Sequence, residues 1–165
     1  MSNKINYTNW QAILLVFLRV LIGWHFLYEG LVKLMNPNWT SVGYLMDSKG
    51  FLSGFYYFLA GNATIIQIVD FLNVWGLIAI GLGLILGFLT QIATVSGIVL
   101  LAFYYLSHPP LVGAKYALPE EGSYLYVNKT LIEMFALAVL LVFPTGVIMG
   151  IDRLLFRKKH LNPAV

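Results

Sequence analysis

His25, Glu29 and Lys33 follow one another at intervals of four residues inside an otherwise apolar run. In a helix that spacing puts an imidazole, a carboxylate and an ammonium on one stripe. Further along, Asp70 and Glu133 add carboxylates, while His108, Asn128 and Lys129 add hydrogen-bonding groups. Ionisable side chains at membrane depth cost about 3 kcal/mol each on insertion scales, so they face a bundle interior and find partners. Burial disfavours the charged form of a carboxylate and nearby cations oppose that effect. Such a balance suits groups that pass protons to a bound molecule. His25, Glu29, Asp70 and Glu133 are therefore the candidate acid–base residues. Arg19, Lys33, His108, Asn128 and Lys129 are the candidate substrate-binding residues.

A plainer account competes at each position. Glu29–Lys33, Asp70 and Glu133 can be paired ions near the membrane interface, where long side chains reach water and lose little. His25 can be a neutral group joining two helices, and His108, before Pro109 and Pro110, can simply end a span. Arg19 can snorkel to the surface or bind a lipid phosphate. The chain has no cysteine, which excludes disulfides, iron–sulfur clusters and thiol relays within it. No HExxH, phosphate-binding loop, dinucleotide fingerprint or haem-attachment motif is present, and no metal site is expected. A redox role therefore requires a bound cofactor, a quinone or a partner protein.

The elements that position these groups follow from hydropathy. Apolar residues make up 59% of the 165-residue chain and charged residues 10%, against about 25% charged in a soluble domain. A helix needs about 20 apolar residues to cross a bilayer. Spans are expected at about 11–35, 65–89, 91–107 and 129–149, followed by a basic tail at 152–165. The expected fold is all-α, an integral membrane four-helix bundle forming a single domain. The run Phe51–Ala60 is too short to span and reads as an interfacial or re-entrant helix between spans one and two. Thr90-Gln91 is the only polar break between spans two and three, so a tight hairpin is expected there. The first span is too long and too charged for a signal peptide and should remain in place.

Basic residues set the orientation. Lys4 lies in the N-terminal tail and Arg153, Arg157, Lys158 and Lys159 in the C-terminal one. Lys49 and Lys115 in the long loops are offset by Asp47, Glu120 and Glu121. Both termini should be cytoplasmic. The polar groups of all four spans then fall in the outer half of the bilayer, leaving the cytoplasmic half nearly bare apart from Arg19. Gly83/Gly87 and Gly146/Gly150 have the spacing of close helix contacts, expected to serve packing within the bundle rather than dimerisation. Trp10, Trp39, Tyr44, Tyr104 and Tyr105 read as an aromatic belt.

The stretch from Phe17 to Leu34, with Arg19, Gly23, an aromatic-rich step and then Gly30-Leu31-Val32-Lys33-Leu34, resembles the opening helix of the DoxX/DoxD-like membrane proteins. Val69-Asp70-Phe71-Leu72-Asn73 with the glycine-rich run Gly76–Gly87 resembles that family's second span. Gly50-Phe51-Leu52 and Gly150-Ile151-Asp152-Arg153 are also similar, so the likeness covers roughly residues 10–156. It implies a four-helix membrane protein. One branch is a membrane subunit of thiosulfate:quinone oxidoreductase, and other members accompany redox or stress-response complexes. Of the family pattern, Arg19, Gly23, Gly30, Lys33 and, less closely, Asp70 match.

Three functions follow. The first is a subunit of a quinone-linked oxidoreductase in a bacterial inner membrane, with an outer-leaflet polar site, quinone as a non-covalent cofactor and a partner redox protein. The second is a non-catalytic membrane anchor or assembly partner, whose long outer loops dock a periplasmic or membrane enzyme of a redox or stress-response complex; membrane lipids and a homo-oligomer are further expected partners. The third, a small-solute or proton carrier, is weakened by the lack of an inverted repeat. A formal charge of +3 is too small to argue for nucleic acid.

Overall fold

Thr8 and Gln11 cap one another at the start of the first helix. The Gln11 amide donates to Thr8 Oγ1 and the Thr8 amide to Gln11 Oε1, a reciprocal capping box. From there the computed structural model describes residues 8–110, 116–117 and 125–156. Helix α1 runs Asn9–Met35 and stops at Asn36-Pro37. Two short helices follow, α2 (Val42–Met46) and α3 (Ser53–Gly61). Asn62 then caps α4 (Ala63–Leu86) by accepting from the amides of Thr64 and Ile65. Gly87, with φ 64°, ends α4 in the left-handed conformation that favours glycine. Helix α5 (Thr90–Ser107) turns back at once, α6 covers Lys129–Val142, and α7 is the short Asp152–Phe156. The expected Lys4, Lys115, Glu120, Glu121, Arg157, Lys158 and Lys159 lie outside the described residues.

Helices α1, α4, α5 and α6 form a closed antiparallel ring in which α1 packs on α4, α4 on α5, α5 on α6 and α6 on α1. Ile22, Phe26, Leu77, Leu84, Leu101 and Leu137 meet at its centre. Helices α1, α4 and α5 are each long and apolar enough to cross a membrane. Their outward faces expose Leu14, Phe17, Phe71, Leu72 and Ile92, an apolar surface far larger than a water-facing protein tolerates. The protein is an all-helical membrane protein.

One expectation is corrected and one extended. The fourth span, expected at 129–149, is helical only to Val142, about 21 Å of helix. Pro144 lacks an N–H and its ring opposes the carbonyl four residues back, so the chain leaves the helix and turns through Thr145–Ile151. The short helix expected at Phe51–Ala60 is α3, and α2 precedes it as a further helix that was not expected. Hydroxyls fasten this segment to the bundle: Tyr44 donates to the Tyr104 carbonyl and Tyr56 to that of Phe103. The glycine pairs pack within the chain as expected, Gly83 facing Ala93 and Gly150 facing Gly87.

Candidate functional site

The α1 stripe points between α5 and α6. His25 Nδ1 lies 2.7 Å from Glu133 Oε1 on α6, and Glu29 Oε2 lies 3.5 Å from Lys33 Nζ one turn along α1. The Lys33 ammonium also sits over two rings, 5.5 Å from the centre of Trp39 and 5.8 Å from that of Tyr104, within the range of cation–π attraction. These groups surround a cavity of about 210 Å³ whose polar wall includes His25, Glu29, Lys33, Lys129 and Glu133. Phe26, Leu77 and Leu101 form its apolar wall. A second cavity of about 670 Å³ lies under the segment that follows α1, beside Trp39, Tyr44 and Asn73. Glu29, Lys33 and Tyr104 belong to both, so the two spaces share a wall. An acid–base pair, a second ion pair and an apolar floor make a compartment suited to a flat, partly polar molecule.

The remaining candidates stand elsewhere. Asp70 Oδ1 accepts from the amide of Ser41 at 2.9 Å and from its hydroxyl at 2.5 Å, tethering the segment after α1 to α4. Asn128 caps α6 through the Leu131 amide. His108, just past α5, stacks on Tyr44 with ring centres 4.0 Å apart, and its Nε2 is 3.8 Å from Asp47 Oδ2. Burial pushes the His108 pKa down, Asp47 opposes that shift and Lys49 adds to it.

Arg19 is at the opposite end and only 2% exposed. Its guanidinium donates to Thr145 Oγ1 at 3.2 Å and to the Met149 carbonyl at 2.7 Å. It neither snorkels nor reaches lipid. The polar groups expected to converge are thus divided: His25, Glu29, Lys33, Lys129 and Glu133 line the cavity, while Asp70, His108 and Asn128 hold a loop, an aromatic stack and a helix end. The end expected to be bare apart from Arg19 also holds Thr145, which accepts from Arg19, and Asp152, which accepts from Thr90.

Sequence reading missed Tyr104, assigned to the aromatic belt, as a wall of both cavities, and Asp152 as a cap. Neither had a local signal, because the groups they meet lie on other elements of the bundle.

The profile of the DoxX family matches residues 14–109, more than half of the chain. The protein belongs to the DoxX family. The match takes in most of α1 and all of α2 to α5, and with them His25, Glu29, Lys33, Asn73 and Tyr104, while Glu133 and Asp152 lie beyond it. No curated protein and no solved structure matches this DoxX chain.

Proposed function

We propose that this DoxX protein is the membrane subunit of a quinone-linked redox complex and that the cavity between α1, α5 and α6 receives the quinone head. The observation that carries the reading is the His25–Glu133 contact of 2.7 Å inside a cavity with apolar walls. Quinone reduction takes up two electrons and two protons. The chain has no thiol to relay electrons, so they come from a partner redox protein. His25 and Glu133 hold a proton between Nδ1 and Oε1 and deliver it to a quinone oxygen. Glu29 and Lys33, on the wall shared with the larger cavity, replace it from that side. Phe26, Leu77 and Leu101 keep bulk water from the ring.

The location we propose is a bacterial cytoplasmic membrane with both termini inside and the cavity in the outer half. Arg153 and the basic residues after it support that orientation. A second reading, an assembly partner without chemistry of its own, is favoured by Phe51 and Phe58, which are 85% and 64% exposed on the loop-end segment.

Quinone reduction by host membranes separates the two. His25→Ala and Glu133→Gln should each lower the rate by about a hundredfold at unchanged protein level, the usual worth of a general acid–base group. Undiminished rates in both variants would leave the assembly reading, in which replacing Phe51 and Phe58 by serine should instead lower recovery of the partner.

A further inference from the structure

Trp39, Ser41 and Tyr44, from the segment between α1 and α3, line the larger cavity together with Lys33 of α1 and Tyr104 of α5. Two moorings hold this segment at its ends. Ser41 is bound to Asp70, and the Lys49 amide donates to the Ser107 carbonyl at 3.0 Å. Between those points the segment rests on His108. The imidazole stacks on Tyr44 and lies 4.7 Å, centre to centre, from the ring of Tyr116. Asp47 Oδ2, 3.8 Å from His108 Nε2, accepts from the Ala117 amide at 2.7 Å, and Ala117 also lines the cavity. One side chain thus braces Tyr44 directly and Ala117 through Asp47.

The brace suits a neutral ring. His108 is only 6% exposed, and its Nδ1 lies 3.1 Å from Ser107 Oγ. Its Nε2 is buried without a hydrogen-bond partner among the described residues, since Asp47 is beyond hydrogen-bond reach and already engaged. The charged groups facing the ring are Asp47 and Lys49, and the titratable ones are Tyr44 and Tyr116, with Tyr104 behind Tyr44. An imidazolium carries N–H donors on both nitrogens, and burial withholds the water that would pair the second. Burial therefore holds the pKa below that of an imidazole in water, about 6.5. A proton binds more tightly once the ring is in water, so acid favours the state in which it has swung out.

We propose that His108 is a proton-released latch: as a neutral ring it holds the segment Trp39–Tyr44 over the larger cavity, and its protonation frees that segment and opens the cavity. The hold is at full strength above about pH 6.5 and is lost as the pH falls below it. The latch governs access to the larger cavity and stands whether or not the ligand is a quinone.

Hydrogen–deuterium exchange of the full chain in lipid nanodiscs tests this, with rates corrected for the intrinsic pH dependence of amide exchange. Between about pH 7.5 and pH 5.5, protection over residues 41–49 should fall by about fivefold to tenfold, as release of the latch by one proton requires. The amides of α1 should keep theirs. His108→Phe retains a ring for the stack and takes no proton, and His108→Gln puts a neutral polar group in its place. Both should show equal protection at the two pH values, and size-exclusion profiles report their folding. Wild-type protection that is equal at the two pH values, or that rises in acid, overturns the latch. A fall that survives in both variants overturns it too, because the titrating group then lies elsewhere.

Discussion

Leu89 precedes α5 with a left-handed backbone, φ 45°, and offers no oxygen to cap it. Asp152 supplies the cap from far along the chain. Its carboxylate accepts from the amides of Leu89 and Thr90 and from the Thr90 hydroxyl, at 2.7–2.9 Å. A negative charge at a helix N-terminus is favourable in itself, and here the residue is also buried and electrostatically linked to Arg19. Removing a buried partner of this kind leaves amides unpaired and a cation uncompensated. Asp152→Ala should cost about 3 kcal/mol, and Asp152→Asn, which keeps one acceptor oxygen, less. Thermal unfolding of the detergent-solubilised protein checks the order. Equal melting temperatures for Ala, Asn and wild type would show that the carboxylate is not the cap that matters.

Between the long helices, α1 and α4 approach one another closely. A Cβ on Gly81 would stand 2.5 Å from the Leu27 backbone nitrogen, and one on Gly30 would stand 2.7 Å from Ile78 Cγ1. Small residues at such contacts let helix backbones meet in a membrane, where hydrophobicity no longer drives association. Gly76, on the same helix, faces open space. Gly81→Ala should therefore destabilise the bundle by about 1–3 kcal/mol through overpacking, whereas Gly76→Ala should not, and helix propensity alone favours it. Comparing the melting temperatures of the two variants tests the packing. A similar change in both would remove the close approach as its cause. The short α6 belongs to this scale as well. Pro144 frees Thr145–Ile151 to fold against the end of α4, where the amides of Ile151 and Asp152 reach the carbonyls of Leu86 and Gly87. Those carbonyls are among the groups a helix end leaves unpaired.

At the scale of the whole molecule, the direction in which the ring faces decides the side from which the cavity is reached. An alkaline phosphatase fusion after Val165 should be inactive and a green fluorescent protein fusion there should be bright. The reverse result would turn the bundle over and place the His25–Glu133 cavity in the cytoplasmic half. The two ends differ in kind as well as in direction. One carries the cavity lined by His25, Glu29, Lys33 and Glu133, the other the clasp of Arg19, Thr145, Thr90 and Asp152 beside a cavity of about 340 Å³.

Much of this was legible in the residues. A run such as Ala12–Leu34 has no soluble alternative, and Asn62, Asn128 and Gly87 mark helix ends through local chemistry that needs no tertiary context. The stripe of His25, Glu29 and Lys33 was fixed by the pitch of the helix alone. Which groups face that stripe was decided only by the order and rotation of the helices around the ring. That geometry sent Glu133 to His25, Tyr104 to Lys33 and Asp70 to Ser41. It also closed Arg19 into a clasp, because a proline-driven turn brings Thr145 and Met149 back beside it. Local sequence sets what a residue can do within one or two turns, and partners many residues away depend on packing that no single segment encodes.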